Sequence, residues 1–305
     1  MVTCTALSKR SASARRLVVL AAAKVNLALE VLGKRADGYH EIATVLQAVD
    51  LSDHITLEEA AGLELRTSGH DVPADERNLA VRAAAALRDA AGVPRGARIT
   101  LDKRIPVAAG LGGGSTDAAA VLLGLNRLWR LRWPVAKLAD VAIGLGMDVP
   151  FFLRGGVALG TGRGEQLEPL RGAALALVLV NPGFGVNTAE MYGRVTPAML
   201  TDGARCRRVS DALRQRRTAL LAASLYNGLE AAAAPHPEIA RMKAALLAAG
   251  ALGAQMSGSG PTVFGVARSW EHARQVRDRV ARGSWRCWAV KTLGGPAVRL
   301  RTGGR

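Results

Sequence analysis

The sequence predicts an α+β protein with two domains. Extended segments dominate the first hundred residues, a glycine-rich loop at 106–116 then opens a long helix, and the last third alternates strand, strand, helix, strand in the manner of a ferredoxin-like layer. At 305 residues, 49% of them hydrophobic, the chain suits one large domain or two of about 150 with well-filled cores. The expected division is a basic, disordered tail at 1–16, a first domain over 17–170 and a second over 171–300.

Residues 17–32 read as extended structure, with alternation about Asn26 and Glu30. Lys24 and Asn26 stand two apart and so share one face of that strand, although a strand-borne lysine taken alone is usually a snorkelling surface group. The polar turn G-K-R-A-D-G-Y-H (33–40) carries the hairpin signal Asp37-Gly38 and leads into a strand at 41–50. Two more strands are expected over 54–66. Asn78 then caps a helix through about Ala91, with Leu79, Ala83, Ala86, Leu87 and Ala90 on one face and Gly92 as its stop. A strand at 97–103 delivers the chain to the glycine loop.

That loop reads P-V-A-A-G-L-G-G-G-S-T, namely Pro106, Val107, Ala108, Ala109, Gly110, Leu111, Gly112, Gly113, Gly114, Ser115 and Thr116. The following helix, 117–129, carries Leu122, Leu125 and Leu128 on one face. Glycines without Cβ let several N–H groups converge, and the unpaired N–H groups of a first helical turn add a partial positive charge, so the expected guest is a phosphate. A Walker A loop would need lysine after Gly114, and a dinucleotide fingerprint would need glycine in place of Ser115, so both are excluded.

Beyond the loop a helix is expected at 134–145, followed by G-M-D-V-P-F-F, in which Asp148 read alone caps a short turn before Pro150. An apolar strand near 170–180 marks the passage to the second domain. In the N-P-G-F-G-V-N-T-A-E-M-Y that follows, Thr188 reads as a helix cap and Tyr192 lies one turn in. The arginine-rich stretch 201–217 shows no clear pattern. Helices are expected over 218–233, 237–249 and 270–282, with strands on either side of S-G-S-G-P (257–261) and at 285–292.

A net charge of +16 invites a nucleic-acid reading, yet the arginines are mostly spread singly and aromatics make up only 4%. A solvated basic face accounts for them better. Cys4, Cys206 and Cys287 form neither a C-x-x-C pair nor an even set, which argues against a disulfide framework or thiolate zinc site and favours a reducing cytoplasm. No apolar run approaches the roughly 20 residues of a membrane span. Arg15-Arg16 before L-V-V-L-A-A-A imitates a signal peptide, but the apolar stretch is short and continues as a strand.

Pro-x-x-x-Gly-Leu-Gly-x-x-Ser resembles the phosphate loop of the GHMP small-molecule kinases. A-K-V-N-L with G-K-R-A-D-G-Y-H-E-I, Gly-x-Asp-Val-Pro around Asp148, G-G-V-A-L-G-T-G-R-G-E (155–165) and Met-Ser-Gly-Ser-Gly-Pro continue the likeness, which runs from about 17 to 292. The G-Y-H element points to the branch whose substrate is a diphosphocytidyl-methylerythritol. The resemblance implies a ribosomal-protein-S5-like first domain, a ferredoxin-like second domain, and ATP with Mg²⁺ as cofactors. It implies that Asp148 takes the proton of a substrate hydroxyl while Lys24 supports the carboxylate and counters phosphoryl charge. The loop 106–116 would hold ATP phosphates, with Ser115 or Thr116 near Mg²⁺, and Asn78 and Lys103 would lie on the adenosine side. Tyr39, His40 and Tyr192 would recognise cytosine, with Thr188 beside them and Asn26 at the substrate hydroxyl. The expected partners are ATP and a small-molecule substrate, with no nucleic acid and no membrane, in a cytoplasmic monomer or weak homodimer.

Two departures stand out: Ala22 where proline is expected, and Gly228 where relatives tend to carry aspartate. Two other readings stay open at this level, another GHMP kinase such as homoserine or mevalonate kinase, and a basic non-catalytic nucleotide- or RNA-binding protein.

Overall fold

The computed structural model describes residues 16–281 and 283–302, so the expected tail lies outside them except for Arg16. Two long strands, β1 (Arg16–Lys34) and β2 (His40–Ala60), pair antiparallel through a turn with Gly38 at φ 83°. β2 does not stop near residue 50. Its register against β1 skips from Ala22↔Ser52 to Ala23↔Val49, so a bulge absorbs Asp50 and Leu51 and the strand runs on. One of the two strands expected over 54–66 is therefore the far half of β2, and the other is β3 (Leu63–Gly69).

The first half continues with α1 (Leu79–Ala91), β4 (Gly96–Lys103), α2 (Gly113–Leu128), α3 (Val135–Ile143), α4 (Val149–Arg154), β5 (Val157–Thr161) and β6 (Gln166–Pro169). α1 starts where its cap dictates. The Asn78 side chain accepts from the Ala80 N–H, and Gly92 ends the helix in the left-handed region at φ 62°. α2 begins earlier than the expected 117, because Gly112 at φ 70° already turns the chain and Gly113 and Gly114 are helical. Ala83, Leu87, Leu122 and Leu125 of these two helices share a core with Val19, Ile55, Leu57 and Ile99 of the sheet.

The second half comprises β7 (Ala176–Asn181), α5 (Thr188–Gly193), α6 (Ala204–Arg214), α7 (Thr218–Ser224), β8 (Tyr226–Asn227), α8 (Pro237–Ala248), β9 (Gly253–Met256), β10 (Val263–Ala267), α9 (Trp270–Val280), β11 (Arg286–Lys291) and β12 (Val298–Thr302). Its own sheet runs β11-β7-β10-β9, antiparallel throughout. Val178 and Val180 face α8 and α9 through Met242, Leu246, Ala273 and Val276. On the other side Leu177, Leu179, Phe264 and Val266 pack with Val25 and Leu27 of β1, so one apolar layer joins the two halves.

Two expectations change here, and one strand had not been foreseen. The helix expected over 218–233 ends at Ser224, since Tyr226 and Asn227 pair in parallel with Ala28 and Leu29. The buried Asn227 amide donates to the Met256 and Gly258 carbonyls, each at 2.8 Å, which competes with helix continuation. Gly228 follows with its N–H on the Leu29 carbonyl at 2.8 Å. The first sheet runs β12-β1-β2-β4-β3, with β5 pairing β2 and β8 pairing β1. The last strand of the chain thus returns to the first sheet instead of staying with the second. Thr188 is not the cap of α5: Asn187 holds that position and accepts from the Ala189 and Glu190 N–H groups, its amide oxygen reaching the turn better than a hydroxyl one residue on.

The arginine-rich stretch forms α6, and its docking has a specific cause. Glu30 of β1 is fully buried, and its Oε2 accepts the Cys206 N–H at 2.8 Å in the first turn of α6, placing negative charge at the positive end of the helix. Burial, with Glu30 beside it, raises the Cys206 thiol well above its ordinary value, so this cysteine is inert. Glu30→Gln is expected to lower stability by ~1–2 kcal/mol, read from urea unfolding. An unchanged midpoint would show that the charge does not anchor α6. Cys206 and Cys287 are both free thiols. No helix among the described residues is long and apolar enough to cross a membrane.

Candidate active site

The glycine loop folds between the two halves, and its glycines are there for clearance. A Cβ on Gly110, which sits at φ +74°, would collide with the Ser257 carbonyl oxygen and lie 3.0 Å from the Gly260 nitrogen. A Cβ on Gly112 would come within 2.7 Å of the Phe152 ring and 3.1 Å of Lys24 Cγ. The first hydrogen bond inside α2 is Thr116 N–H to Gly112 O, at 2.9 Å. The N–H groups of Gly113, Gly114 and Ser115 therefore have no helical partner, which is the geometry of an anion site.

A cavity of about 960 Å³ opens beside the loop, at the upper end of the range for small-molecule sites. Its wall includes every expected site residue except Leu111 and Thr116. Leu111 is buried in the layer between the halves, and Thr116 is fully buried with its hydroxyl unpartnered, so of the two hydroxyls expected near a metal only Ser115 faces the cavity.

Lys24 and Asp148, 124 residues apart in sequence, meet here with Nζ 3.6 Å from Oδ2. The lysine is 5% exposed at its side chain and the aspartate 34%. Asp148 occupies the cap position of α4 but its side chain makes no capping bond, which leaves the carboxylate for the cavity. Two further acceptors hold the ammonium, Asn26 Oδ1 at 2.6 Å and Gly110 O at 3.0 Å. Asn26 is therefore oriented toward Lys24 first. Its Nδ2 donates to Thr44 Oγ1 at 2.8 Å, and its backbone N–H reaches Ser257 Oγ at 3.3 Å. Ser257 in turn donates to Gly110 O at 2.9 Å, tying the second glycine loop to the first.

Lys103 lies directly under the first turn of α2, where a Cβ on Gly113 would stand 2.8 Å from its Nζ. It is buried between Asp53, to which it donates, and Asp117, 2.8 Å away. Asp53 also accepts the N–H groups of Arg104 and Ile105 at 2.6 and 2.8 Å. Burial lowers the pKa of Lys103, but the charges of Asp117 and Asp53 outweigh it and the net shift is upward. Asp117 is held well above the usual carboxylate range by burial, with Asp53 adding to the effect. Lys103 thus props the phosphate loop from beneath. The Asn78 amide is similarly engaged, accepting from Ala80 at 3.0 Å and donating to Pro73 O at 2.8 Å.

At the other end of the cavity His40 and Tyr192 stack with centroids 5.4 Å apart and planes 29° from parallel. Tyr39 is 54% exposed and carries the Arg163 guanidinium 5.1 Å from its ring centre. Burial raises the Tyr192 hydroxyl above its ordinary value, and the charge of Asp148 raises it further, so aromatic end and carboxylate feel one another. His40 is lowered by burial and by Lys34, which favours a neutral imidazole with one donor and one acceptor nitrogen. Thr188 Oγ1 lies 2.9 Å from Ser259 Oγ, joining α5 to the second glycine loop.

Residues 78–156 match the GHMP kinases N terminal domain and residues 209–285 the GHMP kinases C terminal domain. The 4-diphosphocytidyl-2-C-methyl-D-erythritol kinase of Pelotomaculum thermopropionicum is 49% identical over 281 residues, covering 91% of this chain and 98% of that one. The chain belongs to the GHMP kinase family. The kinase of the same name from Moorella thermoacetica is 47% identical to this GHMP kinase, over 87% of this chain and 94% of that one. A crystal structure of 4-(cytidine 5'-diphospho)-2C-methyl-D-erythritol kinase superposes on the present GHMP kinase with a TM-score of 0.79 at 39% identity, covering 91% and 100% of the two chains. Homoserine kinase from Cytophaga hutchinsonii, at 20% identity and a TM-score of 0.76, shares the fold.

Several residues that shape the site of this kinase escaped the sequence reading. Asp117 carried a signal, an acidic residue one turn into a helix that should welcome anions. Thr44, a single polar position within a strand-like run, and Asp53, in the gap between two such runs, carried none, and only the pairing of β2 with β1 and β4 brings them inward. Arg163 stood within a quoted motif, but its place over Tyr39 depends on the β2–β5 pairing.

Proposed function

We propose that this GHMP kinase transfers the γ-phosphoryl group of ATP to a hydroxyl of 4-diphosphocytidyl-2-C-methyl-D-erythritol. The observation that carries the reading is the Lys24–Asp148 pair, set across the glycine loop in one cavity with the His40–Tyr192 stack. ATP phosphates bind the free N–H groups at the start of α2. Asp148 accepts the proton of the substrate hydroxyl as its oxygen attacks the γ-phosphorus, and the bond to the β-phosphate bridging oxygen breaks with ADP leaving. Lys24, fixed by Asn26 and Gly110, keeps its remaining N–H toward the carboxylate and the moving phosphoryl group.

The site suits Mg²⁺, since the Ser115 hydroxyl lines the cavity at the start of α2, where it would reach the ion beside nucleotide phosphates. Held there by Ser115, the ion would supply neutralisation of the charge on the β- and γ-phosphoryl oxygens. Cytosine stacks at the aromatic end, with His40 answering its hydrogen-bonding edge. The setting is a cytoplasmic enzyme acting on small molecules, without nucleic acid, as a monomer or weak homodimer.

ATP consumption with the cytidylyl substrate is expected to exceed that with the uridylyl analogue by ~10-fold or more in kcat/KM, because exchanging the 4-amino group for a carbonyl leaves a hydrogen-bonding mismatch. Equal rates would count against the Tyr39, His40 and Tyr192 pocket. No turnover with either, but turnover of homoserine or mevalonate, would replace the substrate assignment.

A further inference from the structure

The Lys24 ammonium has three N–H bonds. Two are committed to carbonyl oxygens, Asn26 Oδ1 at 2.6 Å and Gly110 O at 3.0 Å, and what remains faces Asp148. Gly110 is backbone and can only accept. Asn26 is different, because a primary amide has an oxygen at one end and a donor NH₂ at the other, and only the oxygen end can hold an ammonium. Something must select that end.

The selector is on the neighbouring strand. Asn26 Nδ2 donates to Thr44 Oγ1 at 2.8 Å, and the single hydroxyl hydrogen of Thr44 is given to the Ala28 carbonyl at 2.8 Å. A carbonyl cannot donate, so the Thr44 hydroxyl must point its hydrogen at Ala28 and can offer Asn26 only a lone pair. The polarity then runs one way, from the Ala28 carbonyl through Thr44 and Asn26 to Lys24. All three residues are buried at the wall of the cavity, with 2% of Thr44, 3% of Asn26 and 4% of Lys24 exposed, so little solvent reaches these bonds. The register of β1 against β2 slips between Asn26 and Ala28, a bulge that aims these groups at one another beside the site.

We propose that Thr44 is a positioning residue for phosphoryl transfer, which fixes the orientation of the Asn26 amide and through it the Lys24 ammonium. This rests on the kinase reading above for its kinetic consequence, but not for its structural one. Thr44→Val keeps the β-branched shape and removes the hydroxyl. The Asn26 NH₂ then loses its acceptor, and nothing holds the amide in the plane that sets its oxygen against the Lys24 ammonium.

The test pairs kinetics with a readout that needs no turnover. In Thr44→Val, kcat is expected to fall ~10–100-fold, the size of one misplaced hydrogen bond to a charged group, with KM for ATP within about twofold of wild type. Thr44→Ser is expected to restore kcat to within about threefold. Added to an Asn26→Ala background, Thr44→Val should cause no further loss, since both act through one amide. The side-chain NH₂ resonances of Asn26 should shift in Thr44→Val and return in Thr44→Ser. Wild-type kcat in Thr44→Val, a full additional loss in the Asn26→Ala background, or Asn26 resonances indifferent to residue 44 would each overturn the proposal. If the wild type fails to turn over the cytidylyl substrate, the substrate assignment falls while the resonance result still decides the role of Thr44.

Discussion

Asp148→Asn is expected to lower kcat by ~10²–10⁴-fold and to leave the fold intact. Asparagine keeps the size of the side chain but cannot take up a proton from the substrate hydroxyl. The carboxylate makes no capping bond to α4 and its side chain is 34% exposed, so the cost to stability should be confined to the lost counter-charge of Lys24, about 1 kcal/mol. Affinity for ATP, set mainly by backbone N–H groups of the loop, should hardly move. The measurement is steady-state kinetics beside a thermal melt. Retention of full phosphoryl transfer by a folded variant would remove Asp148 from the chemistry. A variant that loses activity only because it melts at assay temperature would leave the carboxylate with a structural role.

That prediction rests on a pair the sequence could only suggest. Lys24 and Asn26 share a face because they stand two apart on a strand, and this needed nothing beyond alternation. The anion-binding start of α2 was equally plain, because three adjacent glycines before an amphipathic run have few other uses. The two-layer second half was visible too, since β9, β10, α9 and β11 fall close to their expected ranges. What joins Lys24 to Asp148 is tertiary, the packing of α4 against α2 with Phe152 in the space that Gly112 leaves open. Resemblance supplied that link before geometry did.

The misreadings share one physical origin, competition from a distant partner. Local pattern favours a helix over 218–233, but Asn227 satisfies two carbonyls of the second glycine loop and the backbone beside it pairs with β1. Local pattern likewise breaks β2 at Asp50 and Leu51, while a bulge carries the strand through them. Thr188 loses the cap to Asn187 and turns its hydroxyl to Ser259 instead. Lys103 lines the cavity as expected, but its surroundings were hidden from the sequence. A lysine at the end of a strand before a phosphate loop invites a role with nucleotide, yet its ammonium lies between two buried carboxylates that a linear reading cannot bring together.

Lys103→Met is accordingly expected to destabilise the protein by ~3–5 kcal/mol, because it strands Asp53 and Asp117 side by side without their common cation. The native shift of Lys103 is upward from 10.5, the pull of the two carboxylates exceeding the opposing effect of burial. Its contribution is therefore complete below that pH and fades only as pH climbs through the folded-state value. Around neutrality the full loss should appear in urea unfolding. Adding Asp117→Leu to Lys103→Met should recover a large part of it, since Asp53 keeps the N–H groups of Arg104 and Ile105 and no second charge remains beside it. A single variant as stable as wild type would show that the loop needs no support from below. A double variant no more stable than the single would show that the penalty comes from lost packing of the lysine stem and not from uncompensated charge.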